Sequence, residues 1–188
     1  MRRLIVALGS AAFLGLVNAP AHAGSLAPAS IPHAAPASQT KVAPGDPADI
    51  AYLPANVNLQ PTKSGTWVNT PLQVTLPRPG TYILDANVHA RIWGDPRFNV
   101  VIYARLFNAT SGTVLPNSLR LLDHLVDNNT GNAALGQRTT APISELITVT
   151  GPTTIRLQAA RVNQLGVSTR AEILAEGGFT SLRYAKVA

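Results

Sequence analysis

The clearest pattern in this sequence is an alternation of apolar and polar residues between positions 79 and 107. Successive side chains of a strand point to opposite faces, so the alternation from Tyr82 to Ile92 predicts one long β-strand with one buried face. The row expected in the core is Tyr82, Leu84, Ala86, Val88, Ala90 and Ile92. Gly94 and Pro96 then end the strand, because glycine relaxes the backbone and proline lacks the N–H that a sheet requires.

The strand that follows this break is largely apolar on both faces. One row contains Phe98, Val100, Ile102, Ala104 and Leu106, and the other contains Val101, Tyr103 and Phe107 with Asn99 and Arg105 among them. A two-layer sandwich buries only one face of each sheet, so the second row predicts cover by another subunit. The residues expected at this interface are Val101, Tyr103, Arg105 and Phe107. Arg105 is expected to pair with a carboxylate or to stay at a solvated rim, because an unpaired buried charge is costly.

Short strand patterns separated by turn signals continue through the rest of the chain. They are predicted at 67–68, 72–76, 113–115, 118–126, 141–150, 153–161 and 179–187. Residues 167–175 are ambiguous, because the stretch from Arg170 to Ala175 also suits a short helix. About eight strands with little helix predict an all-β antiparallel sandwich or barrel.

Four of these segments together resemble the C1q and tumour-necrosis-factor-like (TNF-like) jelly-roll domains. The segments are Pro-Gly-Thr-Tyr-Ile-Leu at 79–84, the strand and Asn turn at 100–110, the strand pair at 143–161, and the closing strand at 179–187. The similarity extends over roughly 67–187. It implies a jelly-roll β-sandwich that forms a compact homotrimer and serves outside the cell in binding or assembly. Bacterial and phage proteins with similar domains mostly act as surface or fibre heads.

The N-terminal region predicts export. Arg2 and Arg3 precede an uncharged apolar run at 4–17, and Ala21-His22-Ala23 suits signal-peptide cleavage. We therefore expect a signal peptide at 1–23, a Pro- and Ala-rich disordered linker at 24–50, and the β-sandwich domain at 51–188. The linker is either a passive leader or a semi-rigid spacer. No later run is long enough to cross a membrane, so the mature protein is expected to be secreted without a membrane span.

Composition narrows the possible partners. The formal net charge of +6 falls to +4 when Arg2 and Arg3 leave with the signal peptide, and the remaining arginines are scattered. No basic stretch with interleaved aromatic residues indicates nucleic-acid binding. The absence of cysteine excludes disulfides and thiolate metal sites. Arginine far outnumbers lysine, and alanine and proline are abundant, which indicates a GC-rich bacterial genome.

No motif for catalysis or for a cofactor is present in the sequence, so we expect no enzyme activity. Asp85 and His89 are four strand residues apart, too far for a hydrogen-bonded pair, and the adjacent Asp123 and His124 point to opposite faces. The oxygen-rich loop of Asp127, Asn129 and Asn132 is the one weak candidate for Ca²⁺. It has a single carboxylate, and such loops are mostly turns, so we predict no metal.

Aromatic residues offer one alternative function. Trp67 and Trp93, with Tyr103, are weak candidates for a platform on which a sugar stacks, although such residues more often sit in a core or an interface. The sequence thus favours a secreted, non-catalytic, homotrimeric module for surface attachment or assembly, with an extracellular protein or glycan as its unidentified ligand. A jelly-roll lectin is the alternative, and a secreted hydrolase is third.

Overall fold

The computed structural model describes residue 45 and residues 47–188, which form β-strands and one turn of 3₁₀ helix at Glu176–Gly178. The strands are β1 (Ala48–Tyr52), β2 (Val57–Asn58), β3 (Val68–Leu76), β4 (Gly80–Gly94), β5 (Phe98–Asn108), β6 (Thr113–Val114), β7 (Arg120–Asp127), β8 (Leu135–Val149), β9 (Thr153–Leu165), β10 (Arg170–Ile173) and β11 (Ser181–Lys186). The predicted signal peptide and nearly all of the predicted linker lie outside the described residues. Within residues 47–188, no helix has the length and apolar character needed to cross a membrane.

The strands form two antiparallel sheets. In sheet A, β8 pairs along one edge of β4, while β11 and β10 share its other edge and are followed by β1 and β2. In sheet B, β9 lies between β3 and β5, and β7 and β6 share the far edge of β5. The two main orders are therefore β1-β11-β4-β8 and β3-β9-β5-β7. This is the eight-strand arrangement of a jelly roll, and the predicted fold class is confirmed.

The core lies between the two sheets and contains both rows predicted for it. Every residue of the β4 row from Tyr82 to Ile92 is buried, and so is every residue of the β5 row from Phe98 to Leu106. Leu59 from the segment before β3, and Ile143 and Ile155 from β8 and β9, complete the same cluster. The period-two pattern therefore assigned these side chains to the correct face.

Several element boundaries differ from the predictions, and three segments show the main differences. Strand β1 begins at Ala48, inside the predicted linker, and pairs with β11. Strand β8 begins at Leu135 rather than at residue 141, and it pairs with β4 along the whole of both strands. The ambiguous segment at 170–175 contains β10 (Arg170–Ile173) and no helix, because Ala171 and Ile173 are buried while Arg170 and Glu172 before and between them are not, which is the alternation of a strand.

A buried threonine joins β10 and β11 to the same edge of β4. The backbone N–H of His89 donates to Thr180 Oγ1 (3.0 Å), and this hydroxyl donates to the carbonyl of Leu174 (2.6 Å). The N–H of Leu174 in turn donates to the carbonyl of His89 (2.8 Å). One side chain thus continues the hydrogen-bond ladder across the gap between two short strands.

Arg161 is a buried cation that holds the segment before β3 against β9. Its guanidinium donates to Gln60 Oε1 (2.9 Å), to the carbonyl of Thr62 (2.7 Å) and to Asn163 Oδ1 (3.2 Å). No carboxylate faces it within the described residues, and burial lowers its pKa. Neutral acceptors therefore solvate this charge in place of water.

Asp123 is a buried acid at the edge where the two sheets meet. Gln137 Nε2 (2.7 Å) and Thr139 Oγ1 (3.2 Å) from β8 both donate to its Oδ1, whereas its Oδ2 has no partner among the described residues. Burial raises the pKa of the Asp123 carboxyl, and these hydrogen bonds only partly offset the effect. As predicted, the adjacent His124 points the other way, toward Asn99 Oδ1 at 3.0 Å.

Replacing Asp123 with asparagine should raise the melting temperature at pH 7 by a few degrees. Asparagine keeps the Oδ1 acceptor and removes the buried charge, and about 1 kcal/mol corresponds to roughly 2 to 8 °C in a domain of this size. The folded-state pKa lies above the unfolded one, so wild-type stability relative to the variant falls as pH rises from about 3.9 through the folded pKa. Thermal melts from pH 3 to 8 measure this divergence. Superimposed melting temperatures at all pH values would contradict it.

Candidate functional site

The row predicted as an interface lies on the outer face of sheet B. Val101 is buried, and Tyr103, Arg105 and Phe107 are half-buried. Tyr103 lies opposite Leu121 on β7, whose exposed fraction is 53%. Strand pairing adds further exposed apolar residues, and we call the group of Val101, Tyr103, Phe107, Val114, Leu121 and Val126 the sheet B patch. An apolar strip on the outside of a sandwich indicates a contact surface.

Arg105 interrupts this patch and is held within its own chain. Its guanidinium carbon lies 3.8 Å above the centroid of the Trp67 ring, and its Nε donates to Gln158 Oε1 at 2.7 Å. Burial lowers the pKa of Arg105, and no carboxylate is within ion-pair distance among the described residues. The sequence predicted that an acidic residue or a solvated rim would stabilise the charge of Arg105. Within this chain, the ring of Trp67 stabilises that charge by a cation–π interaction.

The two tryptophans lie on different faces of the sandwich. Trp67 stacks on Arg105 outside sheet B, whereas Trp93 is on the outer row of β4 in sheet A. The three aromatic residues Trp67, Trp93 and Tyr103 therefore do not form one shared platform, because the core separates the two outer faces. Trp67 has Arg105 as its neighbour, whereas Trp93 lines a pocket on the other sheet.

Trp93 lies in a concave pocket at one end of the outer face of sheet A. Strand pairing places Gly136, Trp93 and Arg170 side by side, and the next row contains Arg138, Arg91 and Glu172. The pocket has a volume of about 420 Å³ and is lined by Arg91, Trp93, Gly136, Gln137, Arg138 and Arg170. Its size is within the range of small-molecule sites. We call it the Trp93 pocket.

The three arginines of the pocket differ in how far their charge is compensated. Arg91 donates through Nε (3.0 Å) and Nη2 to the same oxygen of Glu172, and this pair is mostly buried. Arg138 lies 3.4 Å from Glu176 in a half-exposed pair, which is weak in water. The side chain of Arg170 has no ion-pair or hydrogen-bond partner among the described residues, whereas its backbone pairs with that of Trp93. The pocket therefore has one uncompensated guanidinium beside an indole that is 45% exposed.

Gly136 allows the indole to lie across β8. A Cβ at this position would be 1.9 Å from Cε3 of Trp93, a separation that no side chain can accept. The indole therefore lies close against the backbone of a glycine within the sheet, an approach that a larger residue would block.

Comparisons with known proteins do not assign this chain. No protein-family model matches it, and no curated protein shows significant similarity. Among solved structures, the Gx strain of infectious bursal disease virus is similar, with 13% identity and a TM-score of 0.39 over 76% of this chain and 38% of that one. A mutant VP2 protein of the same virus is similar as well, with 14% identity and a TM-score of 0.39 over 84% of this chain and 41% of that one. This chain spans about two fifths of the length of those proteins. Because the sequence identities and TM-scores are low, the similarity assigns no function to this chain.

Asp127 in the weak candidate loop for Ca²⁺ and the two histidines of the domain have local partners. Asp127 is buried and accepts the backbone N–H of Asn129 at 2.9 Å, so its carboxylate closes a turn at the start of the loop that runs to Asn132. His89 Nδ1 lies 2.7 Å from Thr140 Oγ1, and its ring packs against Phe179 at 5.3 Å. Among residues 47–188, no three acidic or histidine side chains converge as metal ligands.

Sequence analysis missed most of the Trp93 pocket. It identified Trp93 but neither Gly136 nor the arginines at 91, 138 and 170, which come from three strands distant in the chain. The available signal was the period-two spacing of Arg91 with Trp93 and of Gly136 with Arg138, which places each pair on one face of its strand.

Proposed function

We propose that this chain is a secreted, non-catalytic binding or structural module that works as a homotrimer of the C1q and TNF-like type, in surface attachment or assembly. The sheet B patch is the observation that carries this proposal. A sandwich that acts alone has a polar exterior, whereas Tyr103 and Leu121 form an apolar strip beside the buried Val101, with the polar His124 between this strip and Val126. A second copy of the chain can cover such a strip.

Symmetry and the sequence resemblance support three copies. Closed cyclic symmetry buries an apolar strip without making open fibres. The resemblance implies three-fold closure, and the jelly-roll strand order agrees with the fold that the resemblance implies. The chain has no cysteine, so subunit association can supply stability that disulfides give other small exported domains.

Light scattering of the mature domain tests the assembly. We expect a mass three times that of one chain, constant over a dilution series from about 100 to about 1 micromolar, because an interface that stabilises the fold must be tight. Analytical ultracentrifugation provides the independent measurement. A stable monomer at micromolar concentration would overturn the proposal.

The Trp93 pocket favours carbohydrate binding as a second candidate function. Sugars stack on exposed indoles, and the 45% exposed Trp93 lines a pocket with polar walls. A polysaccharide pull-down distinguishes the two roles. Saturable retention that Trp93→Ala abolishes would support a lectin, and a chain that is trimeric but retains no saccharide would support a purely structural module.

A further inference from the structure

We infer that the Trp93 pocket binds an acidic saccharide unit, a hexuronate, with the sugar ring on the Trp93 indole and the carboxylate on the Arg170 guanidinium. This proposal rests on the second candidate function, carbohydrate binding, and specifies in addition that the bound sugar is negatively charged. It also assigns a role to Arg170, which contacts nothing charged among the described residues.

The register of sheet A places the two required groups at a suitable distance. Trp93 and Arg170 are direct partners on β4 and β10, and paired residues on one face of a sheet have Cβ atoms about 5 Å apart. A pyranose ring that stacks on the indole can therefore direct a carboxylate substituent at the neighbouring guanidinium. Gly136, on the other side of Trp93, holds the indole flat under the ring.

The charges of the pocket favour one anionic group rather than none. Glu172 compensates Arg91 and Glu176 compensates Arg138 only weakly, so Arg170 is the one of the three guanidiniums without a charged partner among the described residues, and it can form a bidentate pair. A neutral sugar would leave that capacity unused. A carboxylate would add two charge-assisted hydrogen bonds to this exposed guanidinium.

The same charges disfavour a nucleic acid, although its bases would also stack on Trp93. A phosphodiester chain brings one negative charge per nucleotide and gains affinity by contacting several free cations. Here the other two arginines are already paired, and the carboxylates of Glu172 and Glu176 would repel adjacent phosphates. A ligand with one charge per ring suits the pocket better.

Isothermal titration of the full mature domain with tetragalacturonate and tetraglucuronate tests the inference, with the methyl esters of both as neutral probes. We expect each acid to bind about tenfold or more tightly than its ester, since hydrogen bonds to charged groups exceed neutral ones by that order. Arg170→Gln should abolish the difference between acid and ester. Trp93→Ala should abolish binding of both forms, and Gly136→Val should weaken both because it displaces the indole.

Arg183→Gln is the matched control. Arg183 lies on β11, with its side chain 65% exposed and paired with Asp85. The variant removes the same charge away from the pocket, so it should bind the acids as the wild type does. Equal weakening by Arg183→Gln and Arg170→Gln would show a nonspecific effect of net charge and would overturn the inference.

The other outcomes separate this inference from the proposed function. Equal binding of acids and esters would overturn the acidic specificity and leave a neutral lectin. Binding of neither uronate would overturn the inference, while the mass of the domain would still decide the trimer. Tighter binding of oligothymidylate than of either uronate would assign the pocket to nucleic acid. A change in oligomeric mass in Trp93→Ala would assign it to a subunit contact.

Discussion

The Tyr103→Glu variant is expected to scatter light as a single chain, at one third of the mass of the wild-type assembly. Tyr103 lies at the centre of the sheet B patch, between Val101 and Phe107 on β5 and opposite Leu121 on β7. Glutamate there would bring three carboxylates into the apolar contacts of a trimer. Desolvation of each carboxylate without a partner costs several kcal/mol, which exceeds what the lost apolar contacts can offset.

Two further variants keep this prediction decisive if Tyr103→Glu does not fold. Leu121→Glu changes an exposed residue of the same patch, so the single chain should tolerate it and still fail to associate. Thr75→Glu adds the same charge at an exposed position on β3 and should remain trimeric. A trimer that survives both patch variants would exclude the sheet B patch as the interface.

The Phe98→Ala variant should lower the free energy of unfolding by about 3 to 5 kcal/mol, the usual cost of deleting a core phenylalanine. Phe98 is 0% exposed and begins β5, directly after the connection that carries the chain from sheet A to sheet B. Its ring also lies against Gly94, where a Cβ would be 2.9 Å from the nearest ring atom. Alanine would leave a cavity between the two sheets.

Phe179→Ala is the matched control for this prediction. Phe179 is 56% exposed and packs only at its edge of the sheet, against His89. The same deletion should cost about 1 kcal/mol or less. Urea unfolding at one fixed protein concentration measures both variants, because association changes apparent stability with concentration. Equal losses for the two variants would contradict the assignment of Phe98 to the core.

The sequence predicts a strand and its buried face where the apolar and polar residues of that strand alternate. The alternation in β4 and the apolar row of β5 each determine which side chains are buried, and the structure buries both rows. The sheet order followed from the resemblance rather than from any single strand. Strand β10 was ambiguous because Ala171 and Glu172 suit a helix as well as a strand, and burial against β4 decides between them.

The parts that could not be predicted depend on pairing between distant segments. The first third of β8 has no apolar run, since Gly136, Gln137 and Arg138 show no pattern of burial, and it becomes a strand only because β4 provides the hydrogen-bond partners. The Trp93 pocket arises from that pairing and from β10. The stacking of Arg105 on Trp67 likewise joins residues far apart in the chain. No local sequence signal specifies either contact.

The strands that complete sheet A also determine when this chain can fold. The second edge of β4 is filled by β10 and β11, whose paired residues come at least 77 positions later in the sequence (Trp93 with Arg170, 170 − 93 = 77), and among the described strands β1 pairs with β11 alone. During synthesis, β4 has no partner on that edge until residues 170–186 have left the ribosome. Proteins dominated by such non-local pairings fold in milliseconds to seconds, much more slowly than helical bundles. One edge of β4 therefore stays unpaired until the last strands are made, which exposes it to wrong partners until its own arrive.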